Sequence, residues 1–203
     1  MKPVPYFAAV ISFLVLPTFM SVHADMPIPA VLSAAIADPR RPVDQVKLDA
    51  ARKPAQLILF AELKAGDRVA DFMPGNGYFT RIISVPQSLD VIWTAQNYHD
   101  LHDSFMGPAN VGAVNRAFFK ALKPGGIYLV VDHVAESGSG LRDTESLHRI
   151  DPIRLQKEIE AAGFILDAQS DVLRNPQDDH KLPVFDGRVR GQTDQVVYRF
   201  RKP

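Results

Sequence analysis

Gly66-Asp67-Arg68-Val69-Ala70-Asp71-Phe72-Met73-Pro74-Gly75-Asn76-Gly77-Tyr78-Phe79-Thr80 is the stretch that decides the fold. A Gly-Asp turn feeds a short apolar strand ending at Asp71. A loop carrying two glycines follows, then a segment able to open a helix. This order suits a nucleotide-type cofactor. The strand delivers the chain to the carboxyl edge of a sheet, and small residues let the backbone approach a ligand. The helix N-terminus then presents unpaired N–H groups. A second strand pattern, Leu89-Asp90-Val91-Ile92-Trp93-Thr94, arrives soon afterwards.

Outward from this motif, the 203 residues amount to one domain with room for a sizeable core. A formal net charge of zero and a hydrophobic content of 46% fit a soluble globular protein. Basic residues are scattered among acids with no basic block, so no nucleic-acid partner is expected. Lys2, the nearly continuous apolar run 6–20 and the small residues of Val22-His23-Ala24 read as a signal peptide over 1–24. Its apolar run is short of the about 20 residues of a bilayer span. Cleavage between Ala24 and Asp25 is therefore expected, leaving a single domain, 25–203, periplasmic or secreted and without a stable membrane anchor. The chain has no cysteine. Thiolate metal sites, cysteine nucleophiles and disulfides are thereby excluded.

Residues 30–37 predict a short helix, and 44–63 an amphipathic helix that Pro54 bends or splits. Strands are expected at 68–72, 91–94 and 127–132, with helices at 78–85 and 111–122 between them. Lys123-Pro124-Gly125-Gly126 reads as the turn that ends the second of these helices and launches the third strand. A loop rich in Ser and Gly spans 135–142, and a helix over 152–162 stops at Gly163. Residues 164–170 and 195–201 read as a closing strand pair joined by a long polar loop. The order implies an α/β sheet, mostly parallel, with an antiparallel strand near its end.

Several quoted segments agree in order with one family. They are Asp49-Ala50-Ala51-Arg52-Lys53-Pro54-Ala55, the glycine loop above, Trp93-Thr94-Ala95-Gln96-Asn97-Tyr98-His99-Asp100-Leu101-His102 and Leu122-Lys123-Pro124-Gly125-Gly126. Gly138-Ser139-Gly140-Leu141-Arg142-Asp143-Thr144, His148-Arg149-Ile150-Asp151-Pro152, Asp178-Asp179-His180 and Asp194-Gln195 continue the series. The chain resembles the class I S-adenosylmethionine-dependent methyltransferases, and more closely an exported branch of them, over nearly all of 25–203. The resemblance implies a Rossmann-like sheet and S-adenosylmethionine as cofactor. It implies methyl transfer to a small molecule or an exported protein as substrate.

The full family sheet has seven strands in order 3-2-1-4-5-7-6. Reaching its fourth strand from its first takes roughly 60 residues, yet Asp71 and Asp90 stand only 19 positions apart. Strands two and three are therefore expected to be missing, leaving about five strands in order 1-4-5-7-6. In the family, an acidic residue ending strand two binds the cofactor ribose, and the loop after strand three frames the adenine. Loss of a pair of charged hydrogen bonds weakens binding by about 10²- to 10⁴-fold. The helix over 78–85 must then cross to the opposite side of strand one from the usual, on the other face or with the rarer left hand. Strand one becomes an edge open to self-association.

By the resemblance, Asp71, Met73, Pro74, Gly75, Asn76, Gly77 and Gln96 bind the cofactor. Asn97 and Tyr98 line the transfer site, and His99 or Asp100 takes a proton from the acceptor. No metal is assigned, although His99, His102, Asp100, Asp103, Asp132, His133 and His148 are residue types that bind one. Two other readings stay open. One is a non-catalytic remnant or binding domain on the same scaffold, and the other is a His/Asp metal-dependent enzyme.

Overall fold

The computed structural model describes residues 27–64, 66–73, 89–106 and 110–203. Within them, β1 (Val69–Phe72), β2 (Leu89–Ala95), β3 (Leu122–His133), β4 (Ile165–Ser170) and β5 (Gln195–Arg201) form one sheet in order β1-β2-β3-β5-β4. β1 and β2 pair in parallel, as do β2 and β3. β5 runs antiparallel to both β3 and β4. Four strands therefore share one direction and β5 opposes them, as the sequence predicts. The expected signal peptide and the helix over 78–85 lie outside the described residues. So does all of 74–88, the segment on which the absence of two strands would be judged.

The central strands are buried on both faces, so they read as continuous apolar runs. Val91, Trp93, Ile127, Leu129, Val131 and Val197 turn to one face. There they meet α1 (Ala30–Ile36) and α4 (Pro54–Phe60), with α2 (Val43–Val46) and α3 (Asp49–Arg52) leading in. Ile92, Tyr128, Val130, Val196, Tyr198 and Phe200 turn to the other face. They pack on α5 (Val111–Ala121) and α7 (Pro152–Glu160); α6 (Thr144–Leu147) lies between β3 and α7 in the chain.

The helix expected over 44–63 is instead three short pieces. Lys53 adopts the left-handed conformation (φ 48°), which closes α3 and places Pro54 at the first turn of α4. Proline is tolerated there because its missing N–H has no helical partner. α5 opens on Asn110, whose side chain accepts from the Ala113 N–H at 2.9 Å. α7 opens on Asp151 in the same way, through the Ile153 N–H at 2.9 Å.

The expected turn at 123–126 is drawn into the start of β3, so that Leu122 already pairs with Leu89. Gly126 explains how. A Cβ there would lie 2.8 Å from the Lys123 carbonyl oxygen and 3.1 Å from that of Asp90, so two backbones approach closely where only glycine fits.

Candidate functional site

Parallel strands β1, β2 and β3 bring their carboxyl ends to one edge of the sheet, where ligands gather in open α/β folds. β1 ends with Asp71 half-buried and Met73 in the left-handed region (φ 53°). Pro74, Gly75, Asn76 and Gly77 lie outside the described residues. Gln96 leaves β2 in a left-handed conformation (φ 62°). Its N–H donates to the Val131 carbonyl at 2.7 Å, and its side chain meets that of Gln195 at 3.1 Å.

Asn97 joins the ends of β1 and β2. Its Nδ2 donates to the carbonyls of Phe72 (3.2 Å) and Met73 (2.8 Å), and its Oδ1 accepts from the Thr94 hydroxyl. The side chain is thus a clasp at the point where β1 passes into the glycine loop. Tyr98 points away from the edge into the core. It is fully buried, its hydroxyl accepts from Asn115 Nδ2 (2.8 Å), and it lies 3.2 Å from the Glu158 carboxylate.

His99 starts a tight 3-10 turn (His99–His102) whose position is fixed by the end of β3. The Asp132 carboxylate accepts from the His99 N–H at 2.8 Å and holds its Nδ1 at 2.7 Å. On the opposite side of the ring, Nε2 lies 3.1 Å from Asp100 Oδ1. Burial opposes charge on this ring, but the two carboxylates outweigh it and raise its pKa to about 10. His148 approaches from the C-terminus of α6 in a left-handed conformation (φ 54°), its ring edge-on to His99 at 5.5 Å. His102 goes elsewhere, to Glu158 Oε2 at 2.9 Å.

Beside Gln96 lies a cavity of about 260 Å³, bordered by Arg52, His133, Phe185, Arg190 and Gln195. His133 is held through Nδ1 by the Thr193 hydroxyl at 2.8 Å. Burial lowers its pKa to about 4 despite the neighbouring Asp132, so it is uncharged at neutral pH. No carboxylate is among the described residues that line this cavity. Another hollow, about 210 Å³, sits at the amino ends of the parallel strands among paired charges such as Lys123 and Asp90 (2.9 Å).

The long polar loop between β4 and β5 runs beside this edge, exposed over much of its length, with Asp178 as a buried anchor within it. Arg149 is fully buried and grips Asp178 through two nitrogens, at 2.8 and 3.1 Å. It also donates to the carbonyls of Val134 and Leu182, both at 2.9 Å. Sequence reading missed this pairing because nothing local links positions 149 and 178. His148, which the sequence reading sets beside His99 among metal-binding residue types, does lie against it here.

Solved structures similar to this chain in fold include the [4+2]-cyclase SpnF. The match has a TM-score of 0.53 at 18% identity and covers 82% of this chain and 84% of that one. They also include a protein described as a methyltransferase from Haloferax volcanii, solved in complex with the Trm112 methyltransferase activator. That match has a TM-score of 0.52 at 13% identity and covers 86% of this chain and 98% of that one. The fold is that of the class I methyltransferases. No protein-family model matches the sequence, and no curated protein matches it. The methyltransferase fold thus rests on architecture, with the glycine-bearing segment following its first described strand. Among the described residues, no helix is long and apolar enough to cross a membrane.

Proposed function

We propose that the chain is an S-adenosylmethionine-dependent methyltransferase whose acceptor is a small molecule bearing a carboxylate or phosphate. The observation that carries this reading is the Asn97 clasp, which binds the mouth of the glycine-bearing segment to the carboxyl end of β2. The two strand ends are thereby held together at the edge where this fold places ligands. Fold alone does not fix the chemistry, because the neighbour SpnF is described as a cyclase.

The residues fit one end of the cofactor better than the other. The Met73 backbone at the end of β1 offers polar groups for an amino-acid end, with Asp71 beside it. Gln96 stands beside them at the end of β2. An acidic side chain for the ribose would come from a strand with no counterpart among the described residues. When bound, the cofactor supplies an electrophilic methyl group. Methyl transfer then needs mainly an acceptor held in line and shielded from water. The cavity beside Gln96 provides such a place. Arg190 at its border favours an anionic acceptor, and His133 presents the uncharged imidazole there.

Titration calorimetry with S-adenosylmethionine and S-adenosylhomocysteine tests the reading. The expected dissociation constant is roughly 0.1–1 mM, about −5.5 to −4.1 kcal/mol, a weak value consistent with an unsupported ribose. Absence of any heat at several millimolar ligand would leave a non-catalytic remnant as the surviving reading. If binding is found, transfer of labelled methyl to a panel of carboxylates and phosphates checks the acceptor class. Labelling of neutral acceptors alone would contradict the role given to Arg190.

A further inference from the structure

The cluster around His99 holds one side chain that its protein neighbours do not satisfy. Asp103 is 1% exposed, and neither of its carboxylate oxygens has a hydrogen-bond partner. An ionised carboxylate in that position, out of water and without donors, is strongly disfavoured unless a cation lies against it. The groups it faces are metal-ligating types. Its Oδ2 is 3.8 Å from His148 Nδ1, which is in turn 3.7 Å from Asp100 Oδ1. His99, Asp100 and His148 each offer one ligand atom within 4.8 Å of the other two.

We infer that His99, Asp100, Asp103 and His148 form a binding site for one divalent transition-metal ion, with zinc the best match. Four ligands about 2.0–2.1 Å from a tetrahedral zinc stand ~3.3 Å apart. The separations of 3.1, 3.7 and 3.8 Å between neighbouring donor atoms are of that size, so one ion fits among them with small side-chain adjustments. Two imidazole nitrogens with two carboxylate oxygens suit zinc, manganese or iron(II) better than calcium or magnesium, which favour oxygen alone.

The support around the site is also that of a metal centre. Asp132 is fully buried and holds His99 Nδ1 at 2.7 Å. This arrangement fixes the ring orientation and leaves Nε2 toward the cluster, the usual partnership of a ligating histidine with a carboxylate; a bound ion there takes the place of the Nε2 proton that now faces Asp100. Phe185 packs edge-on against the His148 ring with centroids 4.9 Å apart, shielding one side. The left-handed backbone at His148 is a strained conformation for a side-chain-bearing residue, held where it aims the ring at the cluster. The inference is independent of the cofactor reading, since none of its four ligands lies in the glycine loop or lines the acceptor cavity.

Purified, tag-free protein stripped with chelator and titrated with Zn²⁺ alone is expected to bind one equivalent per chain. Cobalt(II) in place of zinc should show the visible bands of a four-coordinate nitrogen–oxygen site. His148→Ala, at a partly exposed position that leaves the core intact, should weaken zinc binding about 100-fold or more, and Asp103→Asn should do likewise. His180→Ala, outside the cluster, should not. Circular dichroism establishes that each variant is folded. No zinc or cobalt bound at millimolar metal, or undiminished binding in folded His148→Ala, would overturn the site.

Discussion

Arg149→Ala is expected to destabilise the fold by about 3–5 kcal/mol, because it leaves the Asp178 charge buried without its partner. The readout is a fall in Tm of roughly 6–20 °C in thermal unfolding. The guanidinium serves four acceptor contacts at once: both Asp178 oxygens and the carbonyls of Val134 and Leu182. Removal would therefore release both the end of β3 and the loop that runs beside it. Asp178→Asn should cost a comparable amount, since it leaves the Arg149 charge buried and turns an amide NH2 toward N–H donors that both Asp178 oxygens now accept from. The pair also gives acid sensitivity a definite sign. Burial pushes the Asp178 carboxyl up, but the Arg149 guanidinium and the backbone N–H groups of Asp194 and His180 hold it below its ordinary value. Its contribution is thus full above the unfolded value of about 3.9 and is lost as pH falls through the lower folded value. An Arg149→Ala protein as stable as the parent would show that the loop is held by other means.

Asn97→Ala is expected to lower stability by about 2–4 kcal/mol, because it strands the Phe72 and Met73 carbonyls and the Thr94 hydroxyl away from water. That corresponds to a fall in Tm of roughly 4–16 °C. The functional effect separates this residue from an ordinary buried amide. Without the clasp, the end of β1 is no longer tied to β2, and S-adenosylhomocysteine affinity should drop about tenfold or more, some 1.4 kcal/mol. Asn115→Ala serves as the comparison, since Asn115 is also a buried amide but binds Tyr98 in the core. It should lose stability without the same loss of affinity. Equal affinity losses in the two variants would place Asn97 among general stabilising residues.

The sheet was legible in the sequence because its strands are short apolar runs bounded by Gly, Pro and Asp. Arg68, Val91 and Gly163, the expected boundaries, each fall within two residues of an observed one. α5 and α7 were legible for a related reason: Asn110 and Asp151 are polar caps placed just before apolar periodicity. The break at Lys53 was not, because a left-handed lysine carries no local mark. The direction of Tyr98 was equally hidden. The turn after β2 is 3-10 in type, and its rotation sends Tyr98 to the core while His99 meets Asp132. The candidate site was legible in half. Residues at the ends of β1 and β2 announce themselves by following strand patterns. Asp103, His148 and the Arg149–Asp178 pair come together only through tertiary packing, across separations no periodicity records.

The most direct measurement is a backbone amide spectrum of isotope-labelled protein titrated with S-adenosylhomocysteine. Binding at the joined ends of β1 and β2 predicts the largest shifts at residues 71–77 and at Gln96 and Asn97, saturating in the millimolar range. Shifts concentrated instead around Asp90, Lys123 and Gly126 at the opposite edge, or a spectrum unmoved at saturating ligand, would contradict it.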